Sequence, residues 1–197
     1  MKFKFEHWLF VVCAVIIAAG CHTCKKSWDR VQAKKKIVIH DTVPTQPTKA
    51  ATPVEAYIIR FRKVAQAEQK KYGIPASITL AQGILESGVG KSRLAAHHNN
   101  HFGIKCWCKG KKKDCVNMAD DSPRDRFRIY TSAWHSYRHH SIFVKSMPLR
   151  TNEKSDYRAW AKALKKAGYA TKSSYAQDLI NLIERYNLQR FDDLKNT

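Results

Sequence analysis

Acidic residues and long apolar runs are both scarce in this sequence of 197 residues. Only 16 Asp and Glu stand against 36 Lys and Arg, which leaves a net charge of +20. So large a positive charge predicts that the chain attracts anions. The partner could be nucleic acid, anionic lipid or an acidic polymer, and the charge alone does not choose among them. The apolar run at residues 8–19 is too short for a membrane-spanning helix, which needs about 20 apolar residues. The length itself argues against two full domains.

The apolar run does fit the hydrophobic segment of a secretory signal, which is roughly 7–15 residues long. Lys2 and Lys4 precede the run, and it leads into Ala-Ala-Gly-Cys at residues 18–21. Small residues before a cysteine resemble the bacterial lipoprotein signal, which implies cleavage before Cys21 and lipid on its thiol. The alternative is an ordinary cleaved signal that ends near a cysteine. Either interpretation predicts export and argues against nucleic acid as a partner.

Composition divides the chain into three parts. We predict a signal at residues 1–20, a tether at residues 21–53 that begins with the lipidated cysteine, and a folded domain at residues 54–197. The tether has three prolines among Thr, Gln and Ala, and its one apolar stretch is too short to support a core. The folded domain carries +14 of the net charge, so the basic character belongs mainly to it.

Apolar residues recur at helical spacing through most of the folded domain. The predicted helices are residues 54–72, 75–86, 92–96, 132–147, 156–167 and 173–187. Ser155 is the expected N-cap of the fifth helix. The predicted strands are residues 104–107, 115–116 and 126–130. The pattern therefore predicts an α+β, mainly helical fold with one small β lobe inserted after the third helix.

Glu86 closes an apolar helix just before a glycine-rich bend at residues 88–90. A carboxyl in that position can lie half-buried at the mouth of a cleft, where burial raises its pKa toward about 6–7, as a general acid requires. The alternative is that Glu86 only faces solvent at the helix end. If the reaction is glycoside hydrolysis, a second carboxyl is required, and Asp120 or Asp121 in the lobe could supply it across the cleft. Otherwise these two residues belong to a solvated turn.

Four motifs of the folded domain resemble those of the family 73 glycoside hydrolases, in the same order and at similar spacing. They are Ala-Gln-Gly-Ile-Leu-Glu-Ser-Gly at 81–88, Asn-Asn-His-Phe-Gly-Ile-Lys at 99–105, Ala-Gly-Tyr-Ala-Thr at 167–171 with Tyr-Ala at 175–176, and Ile-Glu-Arg-Tyr-Asn-Leu at 183–188. The family comprises bacterial endo-β-N-acetylglucosaminidases that cut peptidoglycan, including the muramidase-like domain of flagellar rod assembly proteins. The resemblance covers about residues 54–190.

The resemblance implies a lysozyme-like fold and assigns roles to individual residues. Glu86 becomes the proton donor to the glycosidic oxygen, and Asp120 lies near the family's second acidic position. The N-acetyl group of the substrate is the alternative nucleophile. The residues expected at the substrate are Phe102, Tyr169, Tyr175 and Asp121. Phe102 is expected to shape the cleft floor, and core packing is the alternative for the two tyrosines.

Three cysteines lie in the predicted lobe. Export to an oxidising compartment favours a disulfide. Cys115 can pair with either Cys106 or Cys108 across the intervening turn. Cys-x-Cys followed by a single later cysteine is not a standard zinc-ligand spacing, even with histidines nearby. We therefore predict no metal and no cofactor.

Taken together, these features predict a peptidoglycan hydrolase that cleaves the β-1,4 bond after N-acetylglucosamine in cell-wall glycan strands. Its expected partners are those strands and a bacterial membrane, reached through lipid at Cys21, on the periplasmic face of the outer membrane. The alternative is a non-catalytic cell-wall-binding or assembly module that keeps the same fold.

Overall fold

The computed structural model of the chain describes residues 52–106, 114–118, 125–149 and 156–194. Its elements in chain order are α1 (Pro53–Tyr72), α2 (Ala76–Glu86), α3 (Arg93–His98), β1 (Cys115–Asn117), β2 (Arg126–Arg128), α4 (Ala133–Ser146), α5 (Tyr157–Lys166), α6 (Tyr175–Arg185) and a final 3₁₀ turn (Leu188–Phe191). The mainly helical α+β fold with a small lobe after the third helix is confirmed. No helix in these ranges is both long and apolar enough to cross a bilayer.

The first helix begins at a capping box. The Thr52 hydroxyl accepts a hydrogen bond from the Glu55 backbone N–H, and the Glu55 carboxylate accepts one from the Thr52 backbone N–H. This reciprocal pair satisfies two of the backbone donors that a helix start leaves open. Tyr57, Phe61 and Ala65 then recur on one buried face, which packs against α2 and α4.

Helix α2 is the centre of the molecule. Every residue from Ala76 to Glu86 except Leu85 is buried, and the helix packs against α1, α5, α6 and the 3₁₀ turn. Its sequence is apolar or small around most of the circumference, as expected of a helix surrounded by protein. Pro75 is its N-cap rather than a first-turn residue, and the helix ends at Glu86 as predicted.

The C-terminal segment caps the start of α2 from a distance. Pro75 offers no side-chain hydrogen bond there. Instead the Asp192 carboxylate accepts hydrogen bonds from the Ser77 backbone N–H (2.8 Å) and from its hydroxyl (2.6 Å). Leu188 and Phe191 of the 3₁₀ turn are buried beside this contact. The segment after α6 therefore fixes the helix that carries Glu86.

The lobe is a two-stranded antiparallel sheet. β1 pairs with β2 in the register Val116 opposite Phe127, and Phe127 is buried. Within residues 104–106, the described part of the strand predicted over 104–107, the pairing is a single bridge between Lys105 and Phe127 on the other edge of β2. It stays this short because the Ile104 backbone N–H bonds to the Asn100 side chain instead of joining the ladder. Trp107 lies outside the described residues.

Two local predictions need correction. Asp156, not Ser155, is the N-cap of α5, because its carboxylate accepts a hydrogen bond from the Arg158 backbone N–H at 2.8 Å. The apolar spacing along α4 predicts that Trp134, Tyr137 and Val144 face inward. Trp134 is only half-buried, and the Arg138 guanidinium lies 4.8 Å from its ring centroid. Tyr137 and Val144 of the same helix are fully buried, as predicted.

Candidate active site

Glu86 lies at the C-terminal end of α2 and is 8% exposed. The alternative that it only faces solvent is therefore wrong. The hydroxyl of Tyr175, the first residue of α6, donates a hydrogen bond to Glu86 Oε1 at 3.1 Å. A carboxyl with so little exposure, held by a neutral donor, is suited to exchange a proton with a bound ligand.

Tyr169 and Tyr175 form a stacked pair beside Glu86. Their ring centroids are 5.6 Å apart at an interplanar angle of 20°, and both side chains are almost completely buried. Burial raises the pKa of each phenol well above its ordinary value, and the charge of Glu86 raises both further. Both therefore remain neutral at physiological pH, and Tyr175 acts as a hydrogen-bond donor to the carboxyl.

The polar contacts of this site continue into the core. The Gln82 side-chain N–H₂ donates to the Tyr175 hydroxyl at 3.0 Å, and the Gln82 carbonyl lies 3.1 Å from Nε2 of His140. Gln82 is one helical turn before Glu86 on α2, and His140 belongs to α4. Burial lowers the pKa of His140 to about 3, with a further contribution from His139, so its ring is neutral.

The turn after Glu86 is conformationally unusual. Gly88, Val89 and Gly90 all have positive φ, at 55°, 62° and 78°. The two glycines adopt this left-handed region without steric cost. For the β-branched Val89 it is a strained backbone conformation, which the surrounding structure must hold in place. The Ser87 hydroxyl holds the turn, donating to the Gly83 carbonyl and accepting from the Gly90 backbone N–H. Backbone strain of this kind is common beside functional sites.

The Asn-Asn-x-Phe-Gly-Ile-Lys segment joins the lobe to the helices. The Asn100 side chain donates to the carbonyls of Ile104 and Arg128 and accepts from the Ile104 backbone N–H, each at 3.0 Å. Phe102, expected to shape the cleft floor, is 1% exposed and stacks on the His140 ring at 4.0 Å. It lies beneath the site, as a support of the hydrogen-bonded groups rather than at the surface.

The structure brings Glu86, Tyr169 and Tyr175 together. Asp120, Asp121, Cys108 and Cys21 lie outside the described residues. Cys115 is disulfide-bonded to Cys106. Within the described ranges, no group of three His, Cys, Asp or Glu side chains is arranged to hold a metal ion.

Sequence reasoning did not identify Gln82 and His140 as part of the site. Gln82 could have been noticed, because its four-residue spacing from Glu86 places both on one face of α2. His140 carries no such signal, since its partner is 58 residues away in the chain.

This mainly helical fold with a small two-stranded sheet is similar to the solved structures of lysozyme-like peptidoglycan hydrolases. The chain belongs to the Glucosaminidase family, described as mannosyl-glycoprotein endo-beta-N-acetylglucosaminidase, whose sequence model matches residues 62–188. This match confirms the family that the four motifs predict.

Individual relatives agree with this assignment. The chain is 35% identical to exo-glucosaminidase LytG of Bacillus subtilis over an alignment of 145 residues, and the alignment covers 66% of this chain and 50% of LytG. The crystal structure of a peptidoglycan hydrolase from Sphingomonas sp. A1 superposes with a TM-score of 0.57 at 28% identity, covering 69% of this chain and 91% of that one. The catalytic domain of the Listeria monocytogenes autolysin Auto gives 0.59 at 25% identity, covering 90% and 99%. The chain spans about half the length, or less, of the first curated relatives that it matches.

Proposed function

We propose that this protein hydrolyses peptidoglycan at the β-1,4 bond after N-acetylglucosamine, with Glu86 as the general acid. The observation that carries the proposal is the nearly buried Glu86 carboxyl at the end of α2, hydrogen-bonded by Tyr175. Family membership supports the reaction class, and the relatives named as an exo-glucosaminidase and a peptidoglycan hydrolase support the substrate. The positive charge of residues 54–197 favours an anionic polymer such as the wall.

In the proposed reaction, protonated Glu86 gives its proton to the glycosidic oxygen as the bond breaks. Glu86 is then left as a carboxylate with little access to water. The Tyr175 hydroxyl stabilises that charge, because a hydrogen bond donated to an ionised group is worth about 1.5–3 kcal/mol. The second carboxyl is proposed to be Asp120, in the segment that connects β1 to β2. It either attacks the anomeric carbon, which water then releases, or activates the water that attacks, so that the hydroxyl of water ends on that carbon. The substrate's N-acetyl group is the alternative.

We further propose that the protein is exported and anchored by lipid on Cys21, on the periplasmic face of the outer membrane. The support is the short apolar run followed by Ala-Ala-Gly-Cys. Mass spectrometry of the membrane fraction tests it. The expected mature N-terminus is an acylated Cys21, and Cys21→Ala is expected to leave the signal uncleaved. A wild-type N-terminus elsewhere, without acyl chains, contradicts the anchor.

The activity is tested on purified peptidoglycan by mass spectrometry of the released muropeptides. A new N-acetylglucosamine reducing end is expected from the wild type. Glu86→Gln should lower the rate at least about 100-fold while circular dichroism shows an intact fold, because general acids contribute about 10²–10⁴-fold. Glu184→Gln, the same change on an exposed part of α6, serves as the control.

Two results would contradict the proposal. A folded Glu86→Gln protein that keeps more than about a tenth of the wild-type rate would exclude Glu86 as the acid. A wild type that binds peptidoglycan without releasing reducing sugar would indicate the non-catalytic wall-binding module instead.

A further inference from the structure

Four buried side chains from three helices form one continuous hydrogen-bonded chain that ends at Glu86. His140 Nε2 lies 3.1 Å from Gln82 Oε1, Gln82 Nε2 lies 3.0 Å from the Tyr175 hydroxyl, and that hydroxyl lies 3.1 Å from Glu86 Oε1. Gln82, Tyr175 and His140 are at most 3% exposed. Water therefore has little access to the chain, and each hydrogen must point in one direction or the other along it.

The direction of the chain follows from His140. Its Nδ1 is buried and has no hydrogen-bond partner among the residues that the structure describes. In a buried site, an N–H donor without an acceptor is rarer and less favourable in free energy than an unprotonated ring nitrogen without a donor. The proton of the neutral imidazole therefore belongs on Nε2. Nε2–H then donates to Gln82 Oε1, which leaves the Gln82 amide N–H₂ to face Tyr175. The Tyr175 oxygen accepts from Gln82, and its own hydrogen points to Glu86.

We infer that His140 and Gln82 are positioning residues that fix the direction of the Tyr175 hydroxyl, so that Glu86 Oε1 is always an acceptor and the acidic proton is carried on Oε2. This inference rests on the proposed role of Glu86. His140 and Gln82 touch no reacting atom and act only through Tyr175. Phe102 supports the arrangement, because its ring stacks on His140 at 4.0 Å and 18° and holds the imidazole plane in place.

The opposite direction has a definite chemical consequence. If Gln82 loses the His140 donor, its side-chain amide is free to turn over, so that the carbonyl accepts a hydrogen bond from the Tyr175 hydroxyl and the N–H₂ faces the ring at position 140. The Tyr175 oxygen then accepts a hydrogen bond from the protonated Oε1 of Glu86. This bond stabilises the protonated acid and keeps its proton on Oε1 rather than on Oε2. Tyr169 and Tyr175 lie beside Glu86, and His139 and Tyr169 lie beside His140.

The first test needs no activity. Two-bond ¹H–¹⁵N spectra of the full-length protein report which imidazole nitrogen of His140 carries the proton. We expect a neutral Nε2–H tautomer throughout the range from pH 5 to pH 8. An Nδ1–H tautomer, or a charged ring in that range, would overturn the inference whether or not the protein hydrolyses peptidoglycan.

The second test follows the titration of the Glu86 carboxyl by ¹³C NMR in His140→Phe, which keeps an aromatic ring against Phe102 and removes the donor. The midpoint should rise by about one pH unit, since the protonated acid gains a partner. His139→Phe is the matched control, because His139 is the neighbouring, partly buried histidine and bonds to Tyr130 rather than to a member of the hydrogen-bonded chain. It should leave the midpoint unchanged.

A double variant separates positioning from a general effect on packing. In a Tyr175→Phe background, His140→Phe should give no further shift of the Glu86 midpoint, because no hydroxyl remains to transmit it. An equal shift from His139→Phe, or a full shift that persists without the Tyr175 hydroxyl, would overturn the inference.

Kinetics supply the last readout. His140→Phe should lower kcat about tenfold, since the proton is misplaced, and should leave KM unchanged because His140 is fully buried and cannot touch a glycan. A raised KM with unchanged kcat would contradict a positioning role. If the wild type shows no turnover, the proposed function fails, while the tautomer and the Glu86 titration still decide the direction of the chain.

Discussion

The hydroxyl oxygen of Tyr175 lies 3.1 Å from Oε1 of Glu86, so the first residue of α6 contacts the last residue of α2. The two residues are 89 positions apart in the chain. The candidate acid therefore depends on how α2 is packed among its neighbours, and not only on where that helix ends. Changes far from Glu86 that disturb this packing should disturb the site.

Gly83→Ala tests the packing of α2 directly. An added Cβ would lie 2.7 Å from the Tyr57 hydroxyl and 2.9 Å from the Tyr137 hydroxyl, both of which are buried. We expect a loss of about 1–3 kcal/mol in the free energy of unfolding, because overpacking a well-filled core forces side chains and backbone to move. Urea denaturation measures it.

The Tyr57→Phe background provides the control for this prediction. Removing that hydroxyl removes the closer contact, so Gly83→Ala should cost less in Tyr57→Phe than in the wild type. An equal cost in both backgrounds would show that helix propensity or another contact, and not the tyrosine hydroxyl, excludes a side chain at Gly83.

Asn100→Ala should loosen the joint between the lobe and the helices. Three hydrogen bonds of 3.0 Å, to Ile104 and Arg128, depend on this side chain. We expect the free energy of unfolding to fall by about 2–3 kcal/mol, since each bond contributes about 1 kcal/mol and buried backbone groups are left unsatisfied. Hydrogen exchange should show faster loss of protection in β2 than in α6. Equal acceleration in both would contradict a local joint.

The contrast between Glu86 and His140 shows what the sequence could predict. Glu86 was identified because an apolar helix ends there in a glycine-rich bend, which is a local signal. The Asn-Asn motif was found by resemblance, but its structural role at Asn100 was not, because its partners lie on a separate strand. Nothing in the sequence distinguishes His140 from the other polar residues of α4, and only the fold shows that it faces Gln82.

Local competition explains the errors in secondary structure. Ser155 and Asp156 are both good N-cap residues, and the sequence alone does not decide between adjacent candidates. The residues at 104–107 predict a strand, but the Asn100 side chain accepts a hydrogen bond from the Ile104 N–H that a longer ladder needs. The N-cap of α5 depends on one side chain, and the length of the strand depends on a tertiary contact. The spacing of apolar residues along the sequence reports neither.

Reduction of the Cys106–Cys115 disulfide should destabilise the protein. The bond spans nine residues and links the segment after Lys105 to the start of β1. Closing such a loop restricts the unfolded chain, and we expect Cys115→Ser to lower the free energy of unfolding by roughly 2–3 kcal/mol. Cys108→Ser is the matched control and should keep wild-type stability. Non-reducing peptide mapping that finds Cys108 bonded to Cys115 would contradict the pairing.

Two buried histidines, His101 and His140, and the partly buried His139 should make the fold sensitive to acid. Burial lowers the pKa of His101 to about 4, helped by Arg60, and lowers those of His139 and His140 to about 3. In the unfolded chain each titrates near 6.5. Below pH 6.5 the unfolded state therefore binds protons that the folded state refuses, so acid favours unfolding.

We expect the contribution of these histidines to the free energy of unfolding to be constant above about pH 7. It should fall as the pH drops from 6.5 toward 4. Each of the three residues contributes a slope of up to about 1.4 kcal/mol per pH unit in that window. Urea denaturation at pH 7, 6, 5 and 4 measures the total, to which carboxylates also contribute at the acidic end. His139→Phe isolates one histidine, because its ring remains against Tyr130 while its titration is lost. The variant's stability should fall less steeply than that of the wild type between pH 6.5 and 4, and parallel curves would show that His139 binds its proton equally well in both states.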